Sequence, residues 1–382
     1  MQTSGDALAR RLAALSPERR AAVERLLGSR GSGLVRVGRE RPLPLSFGQQ
    51  RLWFLAQLDP GSAAYNTASS LSMRRVEVGA LRWALASLVE RHESLRTTFV
   101  SVDGEPFQRV GVAGEVPLEV RDVESVERAR EVAGEFARGP FDLQAGPLLR
   151  AGLLRVGPEQ SVLVVCVHHI VTDGWSMGLF FSELSALYNA RLGGRDAGLP
   201  ELPFQYVDFA VWQRRQLQGE RLAELLGFWR GELEGLSTLE LSTDRPRPAA
   251  PSFRGGSVPL VLGPEVTRAL REVAQRHGAT LFMALTAAFA GLLARYTRQT
   301  DIAIGTPVAG RSRSELERLI GFFVNTIVLR CDLSGDPSYR DLLVRTRERA
   351  LRAYAHQDLP FEKLVEELQP QRDLSRNPLC QV

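Results

Sequence analysis

The chain has 382 residues, 44% of them hydrophobic and 24% charged, ordinary globular proportions that exclude whole-chain disorder. That length is too great for one ordinary core and predicts two domains or subdomains. The formal charge is +4 at a pI of about 9.2, and without a concentrated basic run it does not imply nucleic acid.

Residues 6–28 are expected to form a helix. Leu8, Leu12, Leu15, Val23 and Leu27 fall at partial helical spacing, and Ser16-Pro17-Glu18 resembles a cap with Pro at the first helical position. The run Gly28 to Gly33 breaks it, as a flexible linker does. Residues 1–38 therefore read as an N-terminal helix and linker, which either caps its own domain or docks a partner chain. From residue 43 helix and strand alternate. Ala80 to Arg91 is amphipathic, with Leu81, Leu85, Leu88 and Val89 on one side. Thr97 to Val100 and Pro106 to Val112 read as strands returning through the turn Asp103-Gly104. Ser161 to Val167 is a continuous apolar run that suits a strand buried on both faces, and Trp175 to Leu192 follows as a helix.

Glycine and proline over 193–204 mark a boundary, giving a first half of 39–204 and a second of 205–382. Leu236 to Gly256 reads as irregular. Beyond it, Pro264 to Arg276, Leu281 to Tyr296 (N-capped by Thr280) and Pro337 to Ala355 are predicted helices, and Ile302 to Ile304 and Ile327 to Arg330 predicted strands. The fold class is α/β. Cys166, Cys331 and Cys380 are far apart and match neither a disulfide framework nor a zinc pattern. No apolar stretch approaches a membrane span and no signal peptide is evident, so the expected location is the cytoplasm, with no membrane partner.

Two adjacent histidines, His168 and His169, directly follow the apolar strand. Neighbouring side chains on a strand point to opposite faces, so one imidazole can face a cavity while the other packs inward. An imidazole, with an ordinary pKa of about 6.5, suits proton handling on an attacking nucleophile at neutral pH. Asp173-Gly174 turns the chain into the next helix, and glycine there lets a backbone or ligand come close. Asp173 can orient an imidazole or pair with an arginine elsewhere; an unpaired buried carboxylate is costly, which favours arginine. A satisfied core histidine pair remains the alternative. His92, His277 and His356 are too dispersed for a metal site.

His168-His169-x-x-x-Asp173-Gly174 followed by Trp175-Ser176 resembles the signature of nonribosomal peptide synthetase condensation domains, shared more widely with chloramphenicol-acetyltransferase-like acyltransferases. Six further segments resemble the family in order: Ser46 to Leu55, Arg91 to Phe99, Tyr206 to Gln213, Ile320 to Thr326, His356 to Glu362 and Arg372 to Leu379. The resemblance spans roughly residues 43–382. It implies two chloramphenicol-acetyltransferase-like subdomains arranged as a V-shaped pseudodimer with the active site in a tunnel between them. It implies His169 as the catalytic histidine. His168, Asp173, Gly174, Trp175 and Ser176 become supporting residues, with Arg311 as the partner of Asp173 and Asn325 as a tunnel-wall candidate. Arg51, Arg96 and Tyr206 would fix loops and helix ends.

The implied reaction is attack of an acceptor α-amine on a donor thioester. Both substrates ride on phosphopantetheine arms of upstream donor and downstream acceptor peptidyl carrier proteins, so no cofactor and no metal is expected on this domain. An adenylation domain is the implied neighbour, in a domain that is monomeric within a multidomain synthetase. Trp175-Ser176, with Arg91-His92-Glu93 and Ala64-Tyr65-Asn66, resembles domains joining an L-donor to an L-acceptor. Rival readings are an epimerisation domain, a free-standing acyltransferase and a catalytically silent platform for partner enzymes. The last residues, Leu379 to Val382, fall where the family begins a further strand, so the second subdomain is expected to be incomplete.

Overall fold

A computed structural model describes residues 33–248, 255–369 and 376–382. The expected helix over 6–28, most of the glycine-rich run behind it, part of the irregular stretch before Gly256, and residues 372–375 of the last motif lie outside the described residues.

The apolar run after residue 160 is the centre of the first half. β7 (Gln160–His168) lies between β2 (Asn66–Arg74) and β6 (Leu149–Arg155), with β5 (Leu118–Asp122) beyond, in the order β2-β7-β6-β5. β2 and β6 run antiparallel to β7, and β5 is parallel to β6. Period-2 alternation sends the β7 side chains into two cores. Leu163, Val165 and Val167 pack with Leu81, Leu85 and Leu88 of α2 (Val78–Arg91) and Phe180 and Leu184 of α4 (Gly174–Gly193). Val164 packs on the other face, with Ala129 and Val132 of α3 (Val126–Arg138). A strand covered on both faces has no polar face to show, which is why its sequence does not alternate. A smaller sheet, β1-β4-β3, joins β1 (Leu43–Pro44) to the predicted hairpin of β3 (Thr97–Val102) and β4 (Glu105–Val110). Its turn residues Asp103 and Gly104 have φ of 52° and 84°.

In the second half, the short runs around Ile302 and Ile327 are the middles of longer strands. β8 (Asp301–Val308) pairs antiparallel with β9 (Asn325–Asp332), and Gly305 N–H donates to the carbonyl of Val382 at 2.7 Å. Helices α6 (Gly219–Leu233), α8 (Leu281–Thr297) and α9 (Tyr339–Ala355) share a core with this pair. α7 (Pro264–Arg276) and α10 (Phe361–Leu368) complete it.

The halves exchange residues. Phe47, at the start of α1 (Phe47–Leu58), lies in the second-half core, and Ile320 lies in the first-half core. Between them Leu34, Leu202, Tyr206, Phe209, Leu319 and Phe323 form a seam cluster. α5 (Tyr206–Gln216) is tied to the first half: Gln205 Nε2 donates to the Arg91 carbonyl at 3.0 Å and Arg214 Nε to the Leu45 carbonyl at 2.7 Å. A division at 204/205 therefore cuts through shared contacts. Residues 33–38, part of the expected linker, carry no helix or strand but are anchored: Leu34 is buried, and the adjoining Arg39 pairs with Glu93 and Asp208, each at 2.8 Å. Among the described residues, no single helix is long and apolar enough to cross a membrane.

Candidate active site

The chain leaves β7 at His168 and passes through a 3-10 turn over His169–Val171. It enters α4 at the N-cap Asp173, whose side chain accepts from Ser176 N–H at 2.8 Å. The two histidines do part company, but for a different reason than strand alternation. His169 has already left the strand, its N–H donating to the Tyr65 carbonyl at 2.8 Å.

His168 is buried between Tyr65 and Phe141, with ring centroids at 6.5 and 6.1 Å. Its Nδ1 accepts from Ile170 N–H at 3.1 Å. Burial, aided by neighbouring His169, pulls its pKa down to about 4. At neutral pH this ring is uncharged, with its proton on Nε2.

His169 has the opposite tautomer. Its Nδ1 sits 2.7 Å from the Thr172 carbonyl, which can only accept. Nδ1 therefore carries the proton, and Nε2 keeps a lone pair for a substrate proton. The ring is half-buried and meets Phe322, from the second half, edge to face at 5.0 Å and 82°.

Asp173 supports the turn and the seam, and its partners are not imidazoles. Besides Ser176, it accepts from Phe323 N–H at 3.0 Å and from Arg311 at 3.3 and 3.4 Å. The Arg311 side chain is 2% exposed and that of Asp173 3%. Burial pulls the Arg311 pKa down, and the charge of Asp173 opposes that pull. Arg311 also donates to Ser176 Oγ at 2.8 Å and the Leu319 carbonyl at 3.0 Å, and it lies 4.0 Å over the Phe323 ring. Gly310 makes this approach possible. Its φ is +63°, and a Cβ there would strike the Phe323 carbonyl.

Trp175 and Ser176 continue the clasp. Trp175 is 50% exposed, and its Nε1 donates to the Glu317 carbonyl at 2.9 Å. Ser176 Oγ donates to the Gly321 carbonyl at 2.9 Å and lies 3.1 Å from its N–H. A Cβ on Gly174 would meet nothing within 4 Å, so the start of α4 borders open space. Asn325 stands apart from this group. Its Nδ2 donates to the carbonyls of Gln357 and Leu359, both at 2.8 Å, and its Oδ1 accepts from Phe361 N–H at 3.0 Å. Its amide thus braces the 357–361 loop, both N–H groups being engaged there.

Tyr206 is buried where α5 meets the seam, bonding Ser46 Oγ at 2.8 Å and the Phe322 carbonyl at 2.7 Å; burial pushes its phenol pKa up. Arg96 ties the end of α2 to the loop after β4, through the carbonyls of Val89 at 3.1 Å and Gly111 at 2.6 Å. Arg51 makes an exposed pair with Glu362 at 3.2 Å. Sequence reasoning missed two members, the Thr172 carbonyl and the Phe322 ring. A backbone acceptor leaves no signal in residue types, and Phe322 is one of two adjacent phenylalanines with nothing local to distinguish them. Among the described residues, no cluster of His, Cys, Asp and Glu is arranged to hold a metal.

The family model described as "Condensation domain" matches residues 39–382. One of the linear gramicidin synthase proteins of Brevibacillus parabrevis is 49% identical over 361 residues, covering 92% of this chain and 5% of that synthase protein. Phosphinothricin tripeptide synthetase PhsC from Streptomyces viridochromogenes is 46% identical, with 97% and 36% covered. The X-domain from teicoplanin biosynthesis superposes with a TM-score of 0.84 at 35% identity, covering 92% of this chain and 78% of that one, and has also been solved in complex with OxyB. The chain spans 5–7% of the length of the gramicidin synthase proteins it matches.

Proposed function

Since the chain belongs to the condensation-domain family, we propose that it joins a donor thioester to the α-amine of an acceptor thioester, both carried on phosphopantetheine arms of carrier domains. Its fold is the mixed α/β, chloramphenicol-acetyltransferase-like fold of that family. The observation that carries the proposal is the His169 imidazole, pinned through Nδ1 to the Thr172 carbonyl with Nε2 left free.

In the proposed reaction the amine nitrogen adds to the thioester carbonyl carbon. The C–N bond forms, the C–S bond breaks, and Nε2 of His169 takes the amine proton and returns it to the departing sulfur as a thiol. An α-amine has a pKa of about 8, so a useful fraction is neutral near pH 7 and a strong base is not needed. His169 then contributes proton transfer, positioning or both. Charge on the carbonyl oxygen would fall to a backbone N–H at the start of α4, near Gly174, or to protonated His169. The partners are upstream and downstream carrier domains within a larger synthetase that includes an adenylation domain. Trp175-Ser176 supports an L-donor and L-acceptor.

The test supplies the chain with donor-loaded and acceptor-loaded carriers and weighs the acceptor arm by mass spectrometry. A dipeptidyl arm is expected. Acylation of a soluble amine with none on the acceptor arm would replace the proposal with a free-standing acyltransferase. The likeness to an X-domain solved with a partner protein favours one second reading, a docking platform. No acylated product of either kind would leave that reading standing and overturn this one.

A further inference from the structure

We propose that Phe322 is the positioning residue for the catalytic imidazole, so that His169 is set for chemistry by docking of the second half. The inference rests on the condensation reading above. One hydrogen bond, from Nδ1 to the Thr172 carbonyl, fixes where the His169 ring is tethered. It leaves the ring free to swing about that bond, and a swing carries Nε2 away from the amine. The edge-to-face contact with Phe322, at 5.0 Å and 82°, removes that freedom. His168 needs no such help, since two first-half rings flank it.

Phe322 is itself placed by backbone bonds that do not depend on its side chain. Its carbonyl accepts from the Tyr206 hydroxyl at 2.7 Å. Gly321 N–H lies 3.1 Å from Ser176 Oγ, and Phe323 N–H donates to Asp173 at 3.0 Å. Three consecutive residues of the second half are thus held to the turn and helix that follow His169, or to Tyr206 at the seam. The first half makes room for the ring as well. Gly48, at the start of α1, sits so close that a Cβ there would come within 2.7 Å of the Phe322 ring. The strand-to-helix turn supplies the acid–base group and the second half supplies the wall that aims it.

Because the bonds that dock residues 321–323 are made by backbone, Phe322→Leu removes the ring and keeps the seam. The experiment compares wild type, Phe322→Leu, Phe322→Tyr and His169→Ala in single turnover with both carriers loaded. Acceptor-carrier affinity, thermal midpoint and the imidazole 15N resonances of His169 are read alongside. Phe322→Leu is expected to lose about 10²-fold in rate, the scale of an ångström-sized misplacement, with affinity and midpoint near wild type. Its His169 resonances should keep the Nδ1-protonated tautomer held by the Thr172 carbonyl but shift and broaden as the ring samples more than one orientation, and Phe322→Tyr should restore most of the rate. A wild-type rate in Phe322→Leu would overturn the inference, as would a rate loss with unchanged His169 resonances. Full activity in His169→Ala would overturn the condensation mechanism itself, which is a separate failure.

Discussion

The two banks of the site are built on different principles. The first-half bank is continuous chain: strand, 3-10 turn and helix cap deliver His168, His169, Asp173 and Ser176 within nine residues, from His168 to Ser176. The side-chain hydrogen bonds that orient its two imidazoles span two or three residues, and it carries the imidazole proposed to do the chemistry. The second-half bank, from Arg311 to Phe323, brings the Phe322 ring to that imidazole rather than an acid or a base. It contributes a buried charge, two aromatic faces and a row of backbone groups. One bank is a reagent, the other a clamp. A reagent can be written into local sequence, whereas a clamp has meaning only once the two halves meet.

The largest expected effect on the clamp comes from Asp173→Asn. Asparagine still caps α4 through its side-chain oxygen, but it leaves the Arg311 guanidinium buried without its counter-charge. Removing one partner of such a pair costs about 3–5 kcal/mol, to be read from denaturant unfolding. A loss below about 1 kcal/mol would show that the halves do not depend on this pair. Reversing both charges, Asp173→Arg with Arg311→Asp, should recover part of the folding that either reversal loses. The recovery stays partial because the Ser176 and Phe323 N–H groups lose their acceptor. No recovery at all would count against the pairing.

The reagent bank has its own pH signature. His168 has a folded pKa of about 4 against an unfolded value of 6.5. Between these values the unfolded chain binds the extra proton, so stability is full above about pH 6.5 and falls as the pH drops toward 4. The difference amounts to roughly 3 kcal/mol. His168→Asn keeps an acceptor for Ile170 N–H and does not titrate, so its unfolding free energy should be flatter across that window. An unchanged slope would place the acid sensitivity elsewhere. The smallest effect expected is that of Trp175→Phe, which deletes one partly exposed bond across the seam, to the Glu317 carbonyl. It should cost about 1 kcal/mol in the same measurement.

Legibility follows the same division. The buried strand, the helix after it and the turn at Asp173 are readable because apolar runs and turn residues act over a few positions. β2 is not, since Asn66 to Arg74 is mostly polar and becomes a strand by pairing with β7. Helix α1 likewise does not announce itself, its apolar positions being divided between Phe47 in the second-half core and Leu52 in the first, and α5 turns its apolar side to the seam cluster. Residue chemistry favours an arginine partner for Asp173, but only family resemblance points to Arg311. The same resemblance makes Asn325 a tunnel-wall candidate, and what the structure adds is that its amide braces the 357–361 loop. Contacts across the seam obey no local pattern, so no periodicity reveals them.

The central claim is that His169, and not its neighbour, is the catalytic histidine. The direct measurement is single-turnover dipeptide formation by His169→Ala with both carriers loaded, beside wild type. The account predicts a loss of about 10²–10⁴-fold with an unchanged thermal midpoint; a rate near wild type would contradict it.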